Sequence, residues 1–577
     1  MTKTATYLGE LHYWRHEPDE WAELLAELRK LGFSGVSSCV PWSVHEHHKG
    51  AFAFAKHLNL ASFVALAHEL GLGVHLRLGP AVGGQLTGFG IPARVLALKE
   101  CQAVSGRGTP LWLPWPTKMF PAPSFASSAF AAEVGEWFAA LGEHLRESKA
   151  TVSVQCDRRS MGRIAAFDGD YHHDAIAWWQ EDNEDVPAPR HFQEDDMPRC
   201  LAWVRFGEEY ESRAIAWLES AARKGGMALA NAAKVGGRAS PDSETGDAAS
   251  SDSERDATTL FIGGAPWFPV VSDDAQKNSV LEALASGITD FTLYMAVARE
   301  RWAGEARSCE WVGPLLATLR EARAHTLRRK TPIVVIANRA EERAAVASCA
   351  LDSATPAITE WMGLGPSGSA ELALDASARL YPRWLAAIRE ALDLVEVPYL
   401  LLGESELHRI DGSTKAVVAP TLRRVDGAVW GALHALGITG MPVVLGPELP
   451  IEDELGRPLG DEGGMPQGGG LLAAESLEDI EGLAADVLGL AGELDDLWIA
   501  PESPSATCTP FYDEEGQVPL LFVRNRDAAA ATAAVNVPVG CTLRDGLTGE
   551  AIGEEEGIAT LSLAPCETRI FRVEARS

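Results

Sequence analysis

Over roughly the first 325 residues, short apolar runs alternate with stretches whose apolar residues recur every three to four positions, which predicts strands alternating with amphipathic helices. Thr6–Leu11 reads as a first strand. The helix after it starts at Pro18, carries Trp21, Leu24, Leu25, Leu28 and Leu31 along one stripe, and stops at Gly32. Gly35–Val40 and Gly73–Leu78 are the next strands, separated by a helix with Leu60, Phe63, Ala67 and Leu70 on one face. A helix near 127–148 precedes a fourth strand at Thr151–Cys156, and further strands are predicted at Met227–Ala232, Thr258–Gly263 and Asp290–Ala296. This is the pattern of a TIM (β/α)8-type barrel with one unit missing, since a closed barrel needs eight strands. The sixth should fall between 235 and 257, where the chain reads GGRASPDSETGDAASSDSERDA, too polar and aperiodic to bury a core-forming face. An eroded sixth unit is expected there.

The pattern changes near Lys330. Pro332–Ala337, Pro398–Leu402, Ala416–Ala419 and Pro442–Leu445 are near-continuous apolar runs, as parallel strands covered on both faces should be, with helices near 381–394, 424–436 and 476–490. Leu400–Leu402 has the composition of a central strand. After about residue 505, short alternating strands at Leu520–Val523, Ala533–Val537, Ala559–Leu563 and Thr568–Val573 predict a small antiparallel β domain. The resulting division is a barrel at 1–327, an open α/β domain at 328–503 and a C-terminal β domain at 504–577.

Composition narrows the functional classes. With 81 acidic against 50 basic residues the 577-residue chain carries a formal charge of −31, which opposes phosphate backbones and anionic lipid; neither nucleic acid nor membrane is an expected partner. Nine cysteines are scattered without CxxC pairs, so a disulfide framework and a zinc site are not expected. HHK at 47–49 and YHHD at 171–174 lack the helical spacing of HExxH, and no GxGxxG or GxxxxGK follows a predicted strand; no metal and no cofactor are expected. The first residues, MTKTATYLGE, lack the apolar core of a signal peptide, and a cytoplasmic protein is expected.

Three segments carry a family resemblance. GELHYWR at Gly9–Arg15 and VPWSVHE at Val40–Glu46 match GxxHYxR and VPWNxHE of glycoside hydrolase family 35, the β-galactosidases, and GPAVGGQLTGFGIP at Gly79–Pro92 resembles that family's GPYxCAEWxxGGxP. VVAPTLRRVDGAVWGALHALG with VVLGPELP resembles the flavodoxin-like middle domain of the family 42 β-galactosidases, which implies a homo-oligomer or another protein partner. The resemblance places Glu10, His12, Tyr13, Arg15, Trp42 and Glu46 at the mouth of the barrel, and adds Gln85, Arg158, Trp267, Tyr294 and Trp302 as ligand-binding candidates. Polar and aromatic residues at strand C-termini suit that role. The other reading of His12, Arg15 and Glu46 is an ion and hydrogen-bond network that props up the barrel.

The resemblance also implies two catalytic glutamates that this sequence lacks. Where the family carries VQxENEYG the chain reads VQCDRRSMG, so Arg159 stands at the proton donor's position, and a guanidinium does not give up its proton near neutral pH. The nucleophile should end the seventh strand, around Thr258, Leu260, Ile262 and Gly264, yet Ala257 through Ser272 contains no Asp or Glu. Gln85 replaces a third family glutamate. The expected function is therefore a β-galactosidase-like pseudoenzyme that binds a carbohydrate or a partner, or serves in assembly, with hydrolysis absent or very weak. The alternative is an active glycoside hydrolase using displaced carboxylates, Asp157 with Glu10 or Glu46. Arg158 and Arg159 favour an anionic sugar, unless they only neutralise nearby carboxylates.

Overall fold

The computed structural model describes residues 6–82, 86–115, 118–154, 169–184, 186–229, 259–262, 273–287, 290–293, 297, 310–349, 373–394, 397–410, 412, 414–459, 464–472, 477, 479, 482–483, 485 and 505–576. In the first region the strands are β1 (Tyr7–Glu10), β2 (Gly35–Val40), a hairpin of β3 (Glu46–His48) and β4 (Ala51–Phe52), β5 (Gly73–Leu78), a second hairpin of β6 (Trp112–Trp115) and β7 (Lys118–Pro121), β8 (Thr151–Val154), β9 (Thr259–Ile262) and β10 (Asp290–Leu293). Six of them form one parallel sheet in the order β8-β5-β2-β1-β10-β9. Leu229 adds a parallel bridge to Val152 beyond β8, on the strand expected at Met227–Ala232. Counted as barrel strands, the order runs five, four, three, two, one, eight, seven. Among the described residues nothing joins the two ends of this parallel array. The residues predicted to lack a sixth unit, 235–257, lie outside the described residues.

The helices packed on this sheet are α1 (Trp21–Leu31), α2 (Trp42–His45), α3 (Leu60–Glu69), α4 (Ala93–Leu96), α5 (Ser128–His144), α6 (His173–Asn183), α7 (Met197–Lys224), α8 (Asp273–Ala285) and α9 (Val312–Glu321). Helix α1 buries the predicted stripe Trp21, Leu24, Leu25 and Leu28. It ends at Gly32, whose φ of 96° lets its amide reach the carbonyls of Leu28 and Arg29. Helices α3 and α5 are capped by Asn59 and Ser127, each side chain accepting from a first-turn amide. Helices α5 and α7 meet where Gly142 faces Gly225; a Cβ on Gly142 would lie 1.7 Å from the Gly225 carbonyl oxygen, so only glycine permits this contact.

The second region holds β11 (Ile333–Ile336), α10 (Arg339–Ala347), α11 (Ala376–Leu394), β12 (Tyr399–Leu402), β13 (Ala416–Thr421), α12 (Gly427–Ile438), β14 (Val443–Pro447) and β15 (Gly469–Leu471). All strand pairs are parallel in the order β12-β11-β13-β14-β15, the 2-1-3-4-5 order of flavodoxin-like sheets. The continuous apolar runs arise because alternate residues serve opposite cores. Ile333, Val335 and Val418 pack with α11, while Val334, Ile336 and Val417 pack with α12. Leu400–Leu402, expected as a central strand, lies at the sheet edge, where Tyr399 and Leu400 are only half-buried.

The C-terminal region is two antiparallel sheets. Strands β16 (Ala506–Phe511), β17 (Leu520–Asn525), β18 (Ala531–Asn536), β19 (Cys541–Asp545), β20 (Glu554–Glu555), β21 (Ile558–Leu563) and β22 (Thr568–Ala575) pair as β16-β17-β22-β19 and β18-β21-β20. Leu521, Val523, Val535, Leu561 and Phe571 fill the space between them. The alternate residues Leu520, Phe522 and Ile570 join the core of the first region, where Thr318 of α9 donates to the Gly546 carbonyl at 2.5 Å. No helix among the described residues is long and apolar enough to cross a membrane.

Candidate functional site

Strand alternation builds the mouth of the sheet. Val36 and Val40 of β2 and Val74, Leu76 and Leu78 of β5 join the apolar cluster shared with the helices, so Ser37, Cys39, His75 and Arg77 face the other way. Register sets Glu10 beside Ser37 and Cys39 beside Arg77. The inner face at these strand ends is therefore polar, where a barrel of this kind usually packs branched apolar residues.

Glu10, 1% exposed, accepts a hydrogen bond from the Arg77 guanidinium and lies 3.6 Å from His12 Nδ1. The Cys39 thiol reaches the same His12 nitrogen at 3.5 Å, and the His12 ring stacks on Trp14 with centroids 5.3 Å apart. Arg15 lies over the far ring, its guanidinium carbon 4.8 Å from the Trp14 centroid. Burial, then the charges of Arg15, Arg77 and His16, holds His12 well below the usual imidazole range, so it is neutral at physiological pH. Burial pushes the Cys39 thiol up to about 12. Glu10, His12 and Cys39 bring three potential ligand atoms within 4.8 Å of one another. Two neighbouring arginines and a firmly protonated thiol make this a poor cation site.

Two other expected ligand contacts are in the core. Tyr13 is fully buried and donates its hydroxyl to His45 Nε2 at 2.6 Å. His45 Nδ1 faces the Ala53 carbonyl at 2.8 Å; a carbonyl only accepts, so the proton is on Nδ1 and Nε2 takes the Tyr13 hydrogen bond. Burial depresses His45 to about 4. Trp42 is also fully buried, parallel to Trp137 of α5 with centroids 6.5 Å apart. The structure thus places Tyr13 and Trp42 beneath the mouth rather than in it.

Glu46 belongs to a separate cluster on the rim. Its Oε1 accepts from the Gly50 amide at 2.9 Å and from Arg94 at 2.7 Å; the other Arg94 terminal nitrogen reaches Glu133 of α5 at 2.7 Å, and Lys49 caps Glu133 at 2.9 Å. Burial works against the Arg94 charge, but Glu46 and Glu133 hold its pKa above the usual value. For Glu46 the prop reading describes the geometry, and Arg94 and Glu133, which the motifs do not include, complete it. Of the remaining candidates, Leu260 and Ile262 stand on β9. Gln85, Asp157, Arg158, Arg159, Thr258, Gly264, Trp267, Tyr294 and Trp302 lie outside the described residues. The YHHD segment brings His172, His173 and Asp174 together, but His172 Nδ1 accepts from the Asp174 amide at 3.2 Å and Asp174 accepts from Ser128 at 2.9 Å, both as helix-start contacts.

Comparison with known proteins follows the same division. Residues 2–107 match glycosyl hydrolases family 35. Beta-galactosidase-1-like protein 3 of Rattus norvegicus is 38% identical over 88 residues, 15% of this chain and 14% of that protein. The β-galactosidase of Felis catus is 37% identical over 92 residues, 16% and 14% respectively. Whole-chain likeness is structural: a catalytic mutant of Gan42B, a family 42 β-galactosidase from G. stearothermophilus, superposes with a TM-score of 0.62 at 12% identity, covering 99% of this chain and 98% of that one. The Marinomonas ef1 β-galactosidase gives 0.64 at 12% identity, covering 98% and 100%. Residues 2–107 are thus similar to family 35 β-galactosidases, and the fold of the whole chain is similar to that of family 42 β-galactosidases. The family match covers the segment bearing Glu10, His12 and Glu46, and the chain spans 14% of the length of these curated relatives.

Proposed function

We propose that this β-galactosidase-like protein binds carbohydrate at the barrel mouth without hydrolysing it. The observation that carries the reading is the chain at the two catalytic positions: Arg159 where the donor is expected, and no acid from Ala257 through Ser272. Retaining hydrolysis needs two carboxyls about 5–5.5 Å apart, one of them carrying a proton to give. The carboxylates that remain at the mouth support the reading, because Glu10 and Glu46 each accept from an arginine, Arg77 and Arg94, in two separate clusters. Arg158 and Arg159, which follow the fourth strand in the sequence, favour an anionic sugar. The strand order, five through one and then eight and seven, supports an eight-unit barrel with the sixth unit eroded. A homo-oligomeric assembly in the cytoplasm completes the proposal; a solution mass of 61.8 kDa, that of one chain, would overturn the assembly part.

The test is hydrolysis of aryl β-galactosides by the purified protein. We expect no turnover above background, since the missing donor and nucleophile each contribute orders of magnitude in rate. A turnover number above about 1 per second that disappears in Asp157→Asn or Glu10→Gln would overturn the proposal and establish the displaced-carboxylate enzyme.

A further inference from the structure

The connection between α6 and α7 includes the sequence VPAPR, Val186–Arg190. Each proline fixes its own φ at about −65° and disfavours the helical region for the residue before it, so Val186 through Pro189 are driven towards polyproline II backbone. That helix repeats about every three residues, which turns the carbonyls of Val186 and Pro189 to the same side. Aromatic donors take both. Trp179 of α6 donates its indole N–H to the Val186 carbonyl at 2.8 Å, and Tyr171 donates its hydroxyl to the Pro189 carbonyl. The two donors belong to one buried aromatic cluster, in which the Trp203 ring of α7 lies 4.7 Å from Tyr171 and 5.4 Å, edge-on, from Trp179. Arg190 closes the segment, its guanidinium 5.7 Å from the Tyr171 ring centroid and bonded to the Gly106 carbonyl. Within the segment only Pro189 is buried; Val186 is 44% exposed.

We propose that Tyr171, Trp179 and Trp203 form a recognition cradle for polyproline II chain, occupied in cis by the chain's own Val186–Arg190 as a strap that opens. Aromatic surfaces carrying hydrogen-bond donors are how proline-rich segments are recognised between proteins, because such a segment is already extended and its carbonyls have no internal partners. Both conditions hold here within one chain. The strap is held by two aromatic hydrogen bonds, Arg190 and one buried proline, so it releases without unfolding α6 or α7. Once open, the cradle takes an extended proline-containing segment supplied in trans.

Trypsin cleavage of the full chain after Arg190 tests the strap. Trp179→Phe keeps an aromatic ring in the core but removes the donor to Val186. We expect cleavage after Arg190 to quicken about three- to tenfold, the weight of one hydrogen bond, and cleavage after the exposed Arg146, just beyond α5, to stay unchanged. An unchanged rate after Arg190, or an equal rise at both arginines, would overturn the proposal. Tryptophan fluorescence titrated with a VPAP-amide peptide tests the cradle. The wild type, its cradle filled, should not respond; Pro187→Gly/Pro189→Gly should bind the peptide, and adding Trp179→Phe should weaken that binding about threefold or more. Wild-type binding as tight as that of the glycine variant, or no binding by the folded glycine variant, would overturn the recognition reading. If the glycine variant does not fold, cleavage after Arg190 still decides, since it needs only the conservative Trp179→Phe.

Discussion

The barrel mouth and the carboxyl end of the middle sheet are both places where parallel strands deliver their C-terminal residues, yet one is open and the other is filled. In a sheet of order 2-1-3-4-5 the crevice between β11 and β13 is where ligands usually bind. Here Arg343 and Arg424, 4% and 2% exposed, occupy it. Arg343 reaches Glu404 at 2.6 Å, Asp426 at 3.4 Å and, on α7 of the barrel region, Glu208 at 2.9 Å. Arg424 reaches Asp375 at 2.9 Å, Glu452 at 3.3 Å and Glu341 at 3.4 Å, and Glu341 also accepts the amides of Arg423 and Arg424. At the mouth, by contrast, an accessible groove of about 920 Å³, lined by Glu46, Lys49, Arg94, Trp112 and Met119 among others, lies beside the arginine cluster of the rim. Buried charge at strand ends is thus not in itself a site; what distinguishes the two is whether open space lies beside the charged groups.

Acid should separate the two regions most strongly. His45 and His75 of the barrel, both near 4 because burial disfavours the imidazolium, are neutral in the fold and protonate near 6.5 when unfolded. Their folded pKa values are depressed, so their contribution is complete above about 6.5 and is lost as pH falls towards 4, by up to about 3 kcal/mol each. In the middle region, burial works to raise Asp375 but the Arg424 hydrogen bond holds it at about 2, so its contribution is lost only below the ordinary aspartate value of 3.8. Burial raises Glu341 and Glu404, which favours the folded middle region on mild acidification. The barrel transition in calorimetry should therefore move down between pH 6.5 and 4 while that of the middle region holds. A common shift of both would contradict the contrast.

Removing Arg424 should come next in size. Arg424→Ala leaves Glu341, fully buried, and Asp375 without their cation, and breaking a buried pair from one side costs about 3–5 kcal/mol. The urea midpoint of the middle-region transition should fall accordingly, and titration of Asp375 should rise from about 2. A loss below about 1 kcal/mol would mean that water already reaches the crevice and that it is not filled in the sense argued above.

Much of this frame was legible from alternation alone. The strands β1, β2, β5 and β8 and the helix stripe ending at Gly32 all followed from periodicity, because each reflects which side of an element meets a core. The edge position of Tyr399–Leu402 did not, since an apolar run reports burial of side chains and not the number of strand neighbours. Motif resemblance located Glu10, His12 and Glu46, but not the depth of Tyr13 and Trp42, which share a strand end with them and turn into the core. Arg77 and His75 were readable in principle: polar residues at a spacing of two within the apolar run GVHLRL mark a strand with one polar buried face. The partners Arg94 and Glu133 were not, because they come from helices far apart in the chain. The groove was hidden for the same reason.

The smallest expected effect sharpens the contrast at the rim. Arg94 bridges two carboxylates much as Arg424 bridges three, but its side chain is 27% exposed and borders the groove. When Arg94 is replaced by alanine, Glu46 keeps the Gly50 amide and Glu133 keeps Lys49, and water from the groove can solvate the remaining oxygens. Arg94→Ala should therefore cost about 1 kcal/mol, the range of a partly solvated ion pair, and the loss should shrink in high salt, which screens exposed charge but not the Arg424 cluster. The urea midpoint of the barrel transition at low and high salt measures both. If Arg94→Ala costs as much as Arg424→Ala and is insensitive to salt, the rim is as closed as the middle crevice, and the difference between the two regions disappears.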